Sequence, residues 1–270
     1  MRGGYSLNES QSGSLKVKHH AAPLAAADHQ EIRKHVRELL SDDFSVRAAS
    51  MTSLEKYGSA AAEAIVDALV KKPQEPHALT SFTDALAEIG KPSLNIILHA
   101  LNHIADVKRP EDAYLIENFV DLLSSLRDRR AVPTLLEQLA KLNAAIKRNH
   151  NSQLVHCCEL AKVKIHRALA EFGEKGALND LIEMLGDGRK RVRDGVVGAV
   201  AKVGDRRALV PLVRLYDIDE HVTFSGAQFI KEAIREIARR ERVTPEDKLF
   251  RDLTAAERAA LERVFPKSKK

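Results

Sequence analysis

From Asp28 onward, apolar residues recur with the 3.6-residue period of helices buried along one side. Four apolar positions spaced i, i+3, i+4, i+7 occur at Ala62/Ile65/Val66/Leu69, Leu94/Ile97/Leu98/Leu101, Val132/Leu135/Leu136/Leu139, Leu178/Leu181/Ile182/Leu185 and Leu209/Leu212/Val213/Tyr216. Successive stripes start 32, 38, 46 and 31 residues apart. Most are preceded, four or five residues earlier, by a glycine: Gly58, Gly90, Gly173 and Gly204. A glycine there ends the preceding helix in the left-handed conformation it adopts cheaply. The third unit turns through Arg127-Asp128-Arg129-Arg130 instead, and Asp128 to Pro133 echoes Asp205 to Pro211. A second amphipathic helix precedes each turn, at Val46–Tyr57, Leu79–Ile89 and Val192–Val203. Strand signals are nearly absent. The unit is therefore helix, short turn, helix. One such pair cannot bury both its apolar faces, whereas stacked neighbours can, so the pattern predicts an all-α solenoid.

Three places depart from an ideal array. Arg109-Pro110-Glu111 lengthens the second-to-third connection, and the third-to-fourth step carries an insert over 143–152. Near the end, Thr244 and Pro245 read as a helix start, and Thr254 as the N-cap of a final helix, Ala255–Val264. The expected organisation is a flexible arm over 1–27, a repeat solenoid over 28–253, and a capping helix with a basic tail over 254–270.

The segments Asp43-Phe44-Ser45-Val46-Arg47-Ala48-Ala49 and Arg191-Val192-Arg193-Asp194, each opening a helix, resemble HEAT repeats, most closely the short subtype named after phycobilisome lyases. The resemblance covers about 41–241. It implies a right-handed, curved solenoid of about six helix pairs whose second helices line the concave surface. In the motif, the Asp caps its own helix N-terminus and the Arg pairs with neighbouring turns. The subtype's name also brings in a phycobilin lyase-like role, as a weaker alternative.

Composition removes several classes. With 44% apolar and 30% charged residues in 270, the chain can build a core, and no apolar run approaches the ~20 residues of a membrane span. Residues 1–6 have no apolar stretch, so no secretory signal is expected. Cys157 and Cys158 are adjacent, which offers no disulfide framework and points to the cytoplasm. His99 and His103 sit one helical turn apart but lack the Glu of a zinc-protease motif, and they read as surface residues. His156-Cys157-Cys158 with His166 reads as buried thiols near a helix start. No phosphate loop, nucleophile elbow or dinucleotide fingerprint is present. HEAT-like hydroxylases hold iron with His-Glu pairs and HEAT-like DNA glycosylases use Trp, and this chain has neither. No enzyme, no metal and no small-molecule cofactor is expected.

Two surfaces remain. Five and six residues past the stripe starts, the expected concave face presents Asp67, His99, Glu137, Gln138, Glu183, Met184, Arg214 and Leu215. That mixture suits a protein or peptide partner better than a phosphate backbone. The turns carry Arg129, Arg130, Arg189, Lys190, Arg191, Arg206 and Arg207, which stacking would align into a basic edge. With 43 Lys and Arg against 38 Asp and Glu, that edge could follow phosphates or an acidic partner. The expected role is a scaffold or adaptor binding a protein on the concave face, without membrane insertion. A nucleic-acid accessory protein is the alternative.

Overall fold

The computed structural model describes residues 25–71, 76–186, 194–219 and 224–266. Residues 1–24, the turn holding Arg189, Lys190 and Arg191, and the 267–270 tail lie outside the described residues. The described chain is all-helical, with thirteen α-helices and no strand. They run α1 (Ala26–Glu38), α2 (Phe44–Glu55), α3 (Ser59–Lys71), α4 (Pro76–Ile89), α5 (Leu94–His103), α6 (Pro110–Leu126), α7 (Ala131–Arg148), α8 (Ser152–Glu171), α9 (Leu178–Gly186), α10 (Asp194–Val203), α11 (Leu209–Asp219), α12 (Phe224–Glu241) and α13 (Ala255–Val264).

The helices form two layers. In the first, α2, α4, α6, α8, α10 and α12 pack one on the next. In the second, α1, α3, α5 and α7 stack in order, and so do α9, α11 and α13. Each second-layer helix up to α11 also packs on the first-layer helix that follows it, as α3 does on α4. The stripes explain this. Ile65, Leu69, Leu94, Leu101, Leu135, Leu181, Leu212 and Val213 are all buried between the layers. Each such side chain contributes about 2 kcal/mol when removed from water.

Local signals set the ends of these helices. The Asp43 carboxylate accepts the Ser45 amide (2.8 Å), and Arg47 donates to the carbonyls of Ser41 (2.7 Å) and Asp42 (3.0 Å). Thr254 caps α13 reciprocally with Glu257, as its spacing predicts. The insert over 143–152 is not a loop. Helix α7 runs to Arg148, and only 149–151 separate it from α8. The long third-to-fourth step therefore reflects α7 and α8 at 18 and 20 residues, longer than most of their neighbours. Two other expectations need correction. Helix α1 opens at Ala26, because Asp28 acts from its first turn, accepting the Ala25 amide (3.2 Å). Thr244 and Pro245 start no α-helix, and Asp247 instead caps a short 3₁₀ turn over Lys248–Phe250.

The glycine turns behave as read at Gly58, Gly90 and Gly173, whose φ values are 50°, 69° and 74°. Arg127 and Arg242 close α6 and α12 in the same left-handed region, at φ 53° and 54°. A side chain there costs roughly 1–2 kcal/mol. Gly204 differs, because it serves close approach. A Cβ at that position would lie 2.4 Å from the Val200 carbonyl and 3.0 Å from Ile237 Cδ1. Arg127→Gly should raise stability by about 1 kcal/mol once the freer unfolded chain is counted. Gly204→Ala should lower it by about 2 kcal/mol. Urea midpoints at constant m-value measure both.

Candidate interaction surface

Second-layer helices show how the stripe register divides their surface. Five residues past each stripe start, Asp67, His99, Glu137, Glu183 and Arg214 stand exposed or half-buried on α3, α5, α7, α9 and α11. Three are ion-paired: Asp67 with Lys71 (2.7 Å), Glu137 with Lys141 (2.7 Å) and Arg214 with Glu257 (3.0 Å). The His99 ring leans on His103, with centroids 4.0 Å apart. Burial, and then the charge of His103, lower its pKa.

One position further on, the expectation fails. Gln138 is fully buried and donates to the Leu101 carbonyl of α5 (2.7 Å). Leu215 is buried in the core, and Met184 is half-buried against it. On a 3.6-residue helix, the second and sixth positions of the stripe share one flank. The Gln138 bond shows that flank facing the preceding second-layer helix. Ile96 and Thr134, at the second position, are buried there too. Gln138 and Leu215 are therefore stacking residues and do not belong to an open surface.

The basic edge is engaged within the fold. Arg130 donates to both oxygens of Asp128 (2.8–3.2 Å) and reaches Asn95 on α5 (3.4 Å). Arg207 repeats this with Asp205 (2.9–3.1 Å) and Asn179 on α9 (2.9 Å). Arg130 holds the Asp128 carboxyl down at about 2, and Arg207 lowers that of Asp205. The intervening arginines point the other way along the array. Arg129 pairs with Glu174 and Arg206 with Asp247 (3.0 Å). The Asp-Arg-Arg turn thus ties one unit to the units before and after it. Exposed pairs of this kind contribute at most about 1 kcal/mol each. Their clearer effect is to place a carboxylate beside every described arginine named at the edge.

A polar cluster missed by the periodicity lies where the second layer is interrupted. Asp180 holds the second position of its stripe, which is apolar or small in the three units before it. Its Oδ2 accepts from Asn143 of α7 (3.2 Å), with Lys162 Nζ 3.9 Å away and His166 Nε2 3.8 Å away, both on α8. His166 is fully buried, and neither ring nitrogen has a hydrogen-bond partner. Helices α7 and α9 make no stacking contact comparable to the other second-layer pairs. The apolar core separates here into one cluster from Ile32 to Ala177 and another from Ala170 to Val264. The sequence signal was a carboxylate on a stacking flank, legible only once that flank is known.

Chemically, this cluster can sense protons. Burial holds the His166 imidazole at about 4, against an ordinary 6.5, with Asp180 only partly offsetting it. Between those values the unfolded chain binds a proton that the folded chain refuses. Stability should therefore be complete above pH 6.5 and fall by about 3 kcal/mol as pH drops to 4. His166→Leu should remove that component from urea midpoints measured across the window.

Among the described residues, no group of three or more His, Cys, Asp or Glu is arranged to hold a metal. Nor is any helix among them long and apolar enough to cross a membrane. No curated protein matches the chain. Residues 152–227, which span α8 to the first turn of α12, match a family model described as HEAT repeats. Over that stretch the chain is similar to HEAT repeats, in agreement with the all-helical, two-layered stacking around it.

Proposed function

We propose that the protein is a non-catalytic scaffold or adaptor that holds a protein or peptide partner on the exposed face of its second-layer helices. In this reading the helices form a right-handed solenoid of about six pairs, of the short lyase-type HEAT subtype, curved so that this face is concave. HEAT repeats generally mediate protein interactions. The observation that carries the reading is the shared register of Asp67, His99, Glu137, Glu183 and Arg214. Five second-layer helices offer side chains of both signs at one height. Such a surface complements a protein of mixed charge better than a uniform row of phosphates. The edge arginines support the same choice, since Arg129, Arg130, Arg206 and Arg207 already face carboxylates. A cytoplasmic location belongs to the proposal and is supported by two free, buried thiols side by side, Cys157 and Cys158.

A random-peptide library panned on the protein tests the face. Recovered peptides should bind a Glu137→Arg, Glu183→Arg, Arg214→Glu variant about tenfold more weakly or worse, with unchanged helicity by circular dichroism. If every recovered peptide binds that variant as well as wild type, the face is wrong. Mixed-sequence DNA, titrated in parallel at low salt and at about 150 mM salt, should show no tight, salt-steep binding. Such binding would move the function to nucleic acid.

A further inference from the structure

A groove of about 410 Å³ opens away from the second-layer register, where the last turn of α3, the start of α4 and the first turns of α6 meet. Its apolar wall combines buried Leu69, half-buried Leu79 and Leu115, and two side chains left open to solvent, Val70 and Tyr114. Val70 is 45% exposed and Tyr114 38%. They are two of only six large apolar residues that the described chain leaves exposed, and they share this groove. Apolar surface gathered in a concavity, and not scattered singly, marks a binding site.

The wall is held in place before anything binds. Tyr114 hydrogen-bonds with the Cys157 thiol of α8, which anchors the ring from behind. Asp112 accepts the amides of Lys108 (3.1 Å) and Arg109 (3.0 Å), fixing the chain as it enters α6. A preformed wall loses less entropy on binding than a mobile one.

Charge at the rim selects the occupant. Among the described residues there, three are carboxylates, Glu111, Asp112 and Glu117, and one is a guanidinium, Arg109. Arg109 lies 2.9 Å from Asp112, so these two cancel. Glu111 and Glu117 leave the rim negative around an apolar floor. The volume sits near the small end of ligand-sized clefts, about 300–1,000 Å³, which suits a few anchoring side chains and not a folded domain.

We propose that this groove docks a short amphipathic segment of a partner protein, with apolar side chains against Val70 and Tyr114 and flanking lysines or arginines facing Glu111 and Glu117. It is a second docking site, independent of the second-layer face.

The probe is a fluorescein-labelled amphipathic peptide built of Leu and Lys, with a Leu and Glu peptide of equal length as its counterpart. Fluorescence anisotropy on the full chain reads binding. The Leu/Lys peptide should bind and the Leu/Glu peptide should not. Val70→Asp should weaken the Leu/Lys peptide about tenfold or more, and so should Tyr114→Ala. Glu111→Lys with Glu117→Lys should invert the preference between the peptides. Val70 and Glu111 are exposed, so these variants keep the fold, and thermal melts verify it. The Glu137→Arg, Glu183→Arg, Arg214→Glu variant should bind the Leu/Lys peptide as wild type does. No binding by wild type, or affinity unchanged in both the Val70→Asp and the double-lysine variants, would overturn the proposal. Loss confined to the second-layer variant would also overturn it and would place the peptide on that other face.

Discussion

Every second-layer helix has a flank that its own unit cannot hide. The stripe covers the side facing the first layer, but the second and sixth positions turn toward the preceding second-layer helix. Ile96, Thr134 and Gln138 meet this requirement, the last by donating to the Leu101 carbonyl. Where the requirement is met, α1, α3, α5 and α7 stack in one run. Where Asp180 takes the second position, the run stops and restarts at α9. A carboxylate cannot enter an apolar flank without partners, because removing its charge from water costs more than stacking returns. Asn143, Lys162 and His166 gather around it, and the two apolar cores part at that point.

The arginine turns act on the same geometry from outside. Each Asp-Arg-Arg turn reaches back to an asparagine of the preceding unit and forward to a carboxylate of the next. Individually these contacts are weak, as exposed pairs are. Collectively they fix the azimuth of successive units, and with it the line of side chains that the second layer presents. The charge that looked in the sequence like a stripe for phosphates is mostly internal to the edge.

The helices themselves were legible because their causes are local. The stripes, the turns at Gly58, Gly90 and Gly173, the Asp43 cap and the Thr254 cap all follow from residues a few positions apart. What escaped depends on neighbours. Gln138 and Leu215 look like open positions on an isolated helix and are covered only in the stack. Arg127 and Arg242 take left-handed φ although glycine would do so more easily, because the array dictates the turn. Asp180 and His166 meet only through the packing of α8 and α9. Val70 and Tyr114 lie far apart in sequence, and no periodicity links them to one groove.

An array whose units touch only their neighbours transmits cooperativity through each interface in turn. The polar junction at Asp180 is the weakest coupling in the second layer, so the molecule is mechanically two short springs joined through α8. Pulled or heated, it yields there first, with the segment before α8 and the segment after α9 each holding its own core. Extension of the array is thereby confined to one place, and a partner bound to either half feels a rigid surface while the span between the halves adapts.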